Sequence, residues 1–147
     1  MTFRSVAGAG GAIVIPPACQ MISVAGPTAA GSNQVTQLVA SASNPNGMRL
    51  ITIYTQVIQN NNPNTNIAQS LIVAALTAPT DFNSKANCIS IFRTYQDGMQ
   101  TPVSLGGGSP TSIVNLELPA GWGIWQLLNV TGSALNRNNV RLAVVLY

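Results

Sequence analysis

The sequence predicts an all-β domain, a β-sandwich or jelly roll carrying an extended N-terminal arm. Three observations lead there. Short runs rich in β-branched and aromatic residues recur every roughly 10–15 positions, separated by glycine, proline and asparagine clusters. Several of these runs alternate apolar and polar side chains, the period of a half-buried strand. Residues 1–33 are dominated by glycine, alanine and proline, which cost ~1 kcal/mol (glycine) and ~3 kcal/mol (proline) inside a helix.

Along the chain, residues 6–11 read Val-Ala-Gly-Ala-Gly-Gly and residues 12–17 read Ala-Ile-Val-Ile-Pro-Pro, an arm with short strands expected at 13–15 and 20–24. Strands then follow from Val35 onward, which puts the boundary between the arm (1–33) and the sandwich domain (34–147) just before them. Residues 48–59 form a long β-branched run. Strict alternation would put Arg49, Ile51, Ile53, Thr55 and Val57 on one face, with Leu50, Thr52, Tyr54, Gln56 and Ile58 on the other. The Asn60-Asn61-Asn62-Pro63-Asn64 cluster ends the run. Residues 67–78 fit a helix turn or a buried strand by periodicity, and the all-β context favours the strand.

Residues 87–95 alternate with Ile89, Ile91 and Tyr95 inward, and Asp97-Gly98 supplies a turn. Gly106-Gly107-Gly108-Ser109-Pro110 is a loop, and residues 112–118 alternate with Val114, Leu116 and Leu118 on one face. Pro119-Ala120-Gly121 turns the chain into a strand over 122–130. The last strand, 140–147, places Val140, Leu142, Val144 and Leu146 together.

Composition narrows the function. The chain has 147 residues, enough for one domain with its own core. Only 6% of them are charged, against about 25% in an ordinary domain. Amides and hydroxyls fill the polar positions, so little charge repulsion opposes association. The net charge of +3 comes from six scattered basic residues, of which only Arg137 and Arg141 are close together. Nucleic-acid binding calls for a clustered basic patch, so that partner is not expected. No apolar stretch reaches 18 residues, so no membrane span is expected, and no secretory signal is read at the N-terminus.

Catalytic constellations are missing. General acid–base chemistry near neutral pH usually relies on histidine, and the chain has none. Serine–histidine and cysteine–histidine nucleophiles are excluded for the same reason. The three acids have plain local readings: Asp81 in a polar loop, Asp97 before a turn glycine, Glu117 on the polar face of a strand. They do not make a glycosidase pair or a cluster for a hard metal ion. Cys19 and Cys88 are too few for zinc without histidine; two buried thiols or one disulfide both fit. The glycine-rich stretches match no phosphate-binding pattern. No enzyme, cofactor or metal site is therefore expected. Trp122 and Trp125 would point to opposite faces of a strand, one in the core and the other at an edge or interface; a sugar-stacking platform is the sharper alternative.

The arm before Pro16-Pro17, the amide-rich strand 48–59, the Leu118-Pro119-Ala120-Gly121-Trp122 turn and the apolar strand ending at Tyr147 together resemble small all-β structural proteins of tailed bacteriophage virions, of the capsid decoration (cement) or head-fibre type. The resemblance implies a virion location and a homo-oligomer, often a trimer. An arm or loop would clamp the major capsid protein or another virion protein. The interface residues expected are Ile13, Val14, Ile15, Pro16, Pro17, Trp122, Trp125 and Tyr147. Two alternatives stay open: a carbohydrate- or receptor-binding domain using a tryptophan, Tyr54 and the loops near Asn60 and Asn136, or a shell-forming capsid protein.

Overall fold

The computed structural model describes residues 19–59, 67–80, 87–97, 111–131 and 134–147. They form eight strands: β1 (Cys19–Ala25), β2 (Gly31–Val39), β3 (Met48–Gln59), β4 (Ile67–Ala75), β5 (Cys88–Asp97), β6 (Thr111–Leu118), β7 (Gly123–Thr131) and β8 (Leu135–Leu146). One 3-10 turn, Ser41–Ser43, follows β2, and there is no α-helix among the described residues. The expected strands at 13–15 and the loops at 60–64 and 106–110 lie outside the described residues.

The strands pack as two antiparallel sheets, a front sheet in the order β1-β8-β3-β6 and a back sheet in the order β2-β7-β4-β5. Strand one pairs with eight, two with seven, three with six and four with five. That is one long antiparallel hairpin rolled up on itself, the jelly-roll form of a sandwich. Residues 19–25 of the segment read as an arm are thus the margin of the front sheet, and residues 31–33 already belong to β2.

The core between the sheets is built from Met48, Leu50 and Ile53 of β3, Ile72 and Ala74 of β4, Ile124 of β7, and Val140, Leu142 and Val144 of β8. These positions obey the alternation of β7 and β8 without a break. In β3 the alternation changes parity. Leu50 lies opposite Val144 and Thr52 opposite Ala143, so Ile51 is an extra residue. Beyond this bulge the buried positions become Ile53, Thr55 and Val57. Strict alternation had put exposed Arg49 on the face of Ile53; the bulge corrects that by sending Arg49 outward and Leu50 inward.

Asparagines mark two further irregularities. Asn115 (φ 52) and Asn33 (φ 62) sit at register shifts of the β3–β6 and β2–β7 pairs. Both occupy the left-handed region, which asparagine tolerates because its short side chain bonds locally. A third shift falls in β5, where Ile91 packs against the core while Ile89 stays exposed at the margin.

A buried polar cluster joins the sheets. Gln126 of β7 and Asn138 of β8 are 0% and 1% exposed. Each amide donates to the other's oxygen at 2.9 Å, and Gln126 Nε2 also donates to Ser70 Oγ at 2.7 Å. The turn after β1 closes over this pair: Gly26 N donates to the Asn138 carbonyl at 2.8 Å, and Asn138 Nδ2 donates to the Pro27 carbonyl at 3.3 Å. A Cβ on Gly26 would stand 2.3 Å from Asn138 Nδ2 and 2.9 Å from Gln126 Oε1, so only glycine leaves room for the pair. At the other end of the sandwich, buried Asn44 donates to the carbonyls of Pro119 and Trp122 at 2.9 and 3.0 Å, pinning the turn into β7.

Asn138→Ala leaves the Gln126 amide short of a partner in the core and is expected to cost about 2–3 kcal/mol in urea unfolding. Gly26→Ala should cost a comparable amount by displacing the same pair, and much less once Asn138 is already alanine. Additive costs in the double variant would show that the glycine acts elsewhere.

Candidate interaction face

The outer face of the front sheet collects most of the chemistry available among the described residues. Because register is known, it can be read row by row across the strands. One row joins Val145, Arg49 and Glu117. The next joins Met21, Ala143, Thr52 and Ile113. A third joins Ser23, Arg141 and Tyr54, and a fourth Ala25, Asn139 and Gln56.

The rows differ in character. In the first, Arg49 Nε donates to Glu117 Oε1 at 2.9 Å, and the Tyr147 hydroxyl donates to the same oxygen at 2.8 Å. The tyrosine is held there by its backbone, since Tyr147 N donates to the Gly47 carbonyl and Asn46 Nδ2 donates to the Tyr147 carbonyl. The two donors, Tyr147 first and Arg49 second, hold the Glu117 carboxyl below its ordinary range. The same hydrogen bond raises the Tyr147 hydroxyl, and Glu117 raises the Arg49 guanidinium.

The second row is apolar and open at both ends. Met21 on β1 is 67% exposed and Ile113 on β6 is 83% exposed, while Ala143 between them is buried. In the third row the Arg141 guanidinium lies 3.8 Å from the centre of the Tyr54 ring, a cation–π stack that covers one ring face. In the fourth, Asn139 Nδ2 donates to Gln56 Oε1 at 3.2 Å. The last two rows line a shallow depression of about 480 Å3, bordered by Ser23, Ala25, Tyr54, Gln56, Asn139 and Arg141. Tyrosine, arginine and methionine are the types enriched where proteins meet.

The back sheet is different, because its outer face is apolar and closed. Leu71, Val73, Ala75, Trp125 and Leu127 form a cluster there, each 3% exposed or less. The Trp125 ring lies along the face over Gly123, whose missing Cβ leaves the 2.6 Å that the indole occupies.

The residues expected at an interface fall in several places. Tyr147 stands on the front face, 45% exposed. Trp122 is half-buried against the main core, and Trp125 is covered on the back sheet, so neither offers an open ring for a sugar. Ile13, Val14, Ile15, Pro16 and Pro17 lie outside the described residues, as do Asn60 and Asp81. Cys19 and Cys88 sit on different sheets and no disulfide joins them. No group of three or more histidine, cysteine, aspartate or glutamate side chains is placed to hold a metal among the described residues. Among those residues, no helix is long and apolar enough to cross a membrane. Met21 and Ile113 were missed by sequence reasoning; the parity of their strands was the available signal, since both sit opposite an inward set.

No family model matches the sequence, and no curated protein matches it. Two solved structures of infectious bursal disease virus, of the Gx and Gt strains, are similar over 100% of this chain at 10% identity. Their TM-scores are 0.40 and 0.34, and the match covers 37% and 38% of those chains. This chain spans well under half their length, and a likeness so faint carries no argument about fold or function.

The Glu117 carboxylate, held by Arg49 and Tyr147, predicts a one-sided response to pH. A carboxyl held below its ordinary value near 4.5 stabilises the fold above that pH, and the contribution is lost as pH falls through the lowered value. The melting temperature of Glu117→Gln is therefore expected to lie below that of the natural protein at neutral pH, with the gap closing under acid. A gap that persists unchanged at pH about 2 would rule out the ionised carboxylate as its source.

Proposed function

We propose that this chain is a non-enzymatic structural protein of a virus particle, a decoration subunit that works as a homo-oligomer bound to the shell. The jelly-roll strand order supports the reading by architecture, since viral capsid domains use it, as do lectins. The low charge supports it by composition: a chain with 6% charged residues resists packing against neighbours very little.

One observation carries the oligomer: Met21 and Ile113 stand exposed on opposite margins of the same sheet. Four strands at a spacing of about 4.8 Å separate the two margins by roughly 14 Å. Two different surfaces that complement one another make a head-to-tail contact, and a closed head-to-tail contact makes a ring. A ring of three is the state we assign. Burial of the two apolar side chains favours it by about 1.5–3 kcal/mol each before ordering costs.

Light scattering tests this directly. The natural protein is expected at three times the 15.3 kDa chain mass, independent of concentration. Met21→Arg and Ile113→Arg should each be monomeric. Their equimolar mixture should form a dimer of one each, because one pair of intact surfaces remains. A natural protein of 15.3 kDa at every concentration would overturn the proposal, as would a variant that keeps the natural mass.

A further inference from the structure

The depression on the outer face of the front sheet holds a cation with no carboxylate beside it. Arg141 is exposed there, and among the described residues the one ion pair is Arg49 with Glu117, two rows away. A second exposed arginine shares the face. Arg137 and Arg141 flank Asn139 on the outer side of β8, while Asn138 and Val140 between them are buried. At a rise of about 3.4 Å per residue, the two arginines stand about 14 Å apart.

The groups around Arg141 are arranged to present it. The Tyr54 ring, 3.8 Å below, takes up the flat side of the guanidinium. The N–H donors lie in the guanidinium plane and stay available at its rim. A stacked side chain also has less freedom left to lose when it binds a ligand. In the next row Asn139 Nδ2 donates to Gln56 Oε1. That bond leaves Gln56 Nε2 to donate and Asn139 Oδ1 to accept. Exposed Ser23, opposite Arg141 on β1, adds a hydroxyl that can do either.

We propose that this depression binds an acidic saccharide, a short chain of sugars that carries carboxylates. The Arg141 fork takes one carboxylate by its two oxygens. Gln56, Asn139 and Ser23 take the hydroxyls, each of which both donates and accepts. Arg137 meets a second carboxylate farther along the same chain of sugars. The volume of about 480 Å3 falls within the range of about 300–1,000 Å3 usual for small-molecule sites. Two other anionic ligands fit less well. Nucleic acid binds by neutralising many closely spaced phosphates, and two arginines this far apart do not supply that. An acidic peptide needs an apolar hole for its side chains, and Arg141 already covers one face of the Tyr54 ring. The site lies within one chain and does not rest on the ring proposed above.

Calorimetric titration of the natural protein tests this, with a galacturonate tetramer and a sialic acid dimer as probes and their methyl esters as neutral counterparts. At least one acid probe should bind, more weakly as salt rises, and its ester should not. Arg141→Gln should weaken that binding about 10-fold or more. Arg141→Lys should weaken it nearly as much, because it keeps the charge and loses the fork; it also serves in place of Arg141→Gln if that variant loses its strand signal in circular dichroism. Arg49→Gln makes the same change of charge at the other end of the face and should leave binding unaltered. No binding of either acid probe at millimolar concentration would overturn the inference, as would equal binding of an ester or an equal loss in Arg49→Gln. Displacement by sodium acetate at matched carboxylate concentration would reduce the site to one for any anion. Tighter binding of an oligothymidylate would assign the face to nucleic acid. Either result would overturn the saccharide.

Discussion

The reciprocal amide pair of Gln126 and Asn138 is the constraint on which the rest of the molecule hangs. Apolar sheets packed face to face tolerate sliding, because one buried methyl group replaces another at little cost. Two buried amides do not. Each has both its donor and its acceptor engaged by the other at 2.9 Å, and any displacement leaves polar atoms unpaired in the core. A slip of one residue in either strand would turn the amide to the outside and the neighbouring charges or leucines to the inside. The pair therefore locks the parity of β7 and β8 together.

From that lock the surface follows. β8 pairs with both β1 and β3, so its parity decides which of their residues face out. Arg141 and Asn139 point outward because Asn138 and Val140 point in. Tyr54 and Gln56 join them because the bulge at Ile51 has already shifted β3 by one residue. Without that extra residue, Arg49 could not face outward together with Tyr54. The ion pair with Glu117 and the cation–π stack share one face only because the bulge lies between them. The ion pair is exposed and the stack has a half-buried Tyr54 under an exposed Arg141, so they shape the face more than they stabilise the fold.

Much of this was legible in the sequence, and the exceptions have physical causes. The limits of β3 and the alternation of β6 and β8 were read directly, because β-branched residues and period-two patterning report a strand from its own residues. The strand reading of 67–78 held for β4, since a central strand buried on both faces looks like a continuous apolar run. The first residues of β8 were missed. Leu135 to Asn139 reads as a loop, yet the Asn138 and Asn139 amides donate to Gln126 and Gln56, partners more than ten residues away. The bulges were missed for a similar reason: Asn33 and Asn115 carry the backbone signal, but asparagine in a polar setting looks like a turn. The jelly-roll pairing of first strand with last is not local at all, and no single segment announces it. Of the outer face of the front sheet, Tyr147 was named from the sequence and is exposed there, while Met21 and Ile113 emerged only when register placed them on the two margins.

The proposal that this chain acts through contact surfaces rests on the two exposed margins of the front sheet. Amide hydrogen exchange, compared between the natural protein and the monomeric Met21→Arg and Ile113→Arg variants, tests that view at the level of single strands. Slower exchange in the natural protein in β1 and β6, the two margins of the front sheet, with β5 unchanged, is the predicted result. Identical exchange in natural protein and variants, or protection confined to the back sheet, would contradict it.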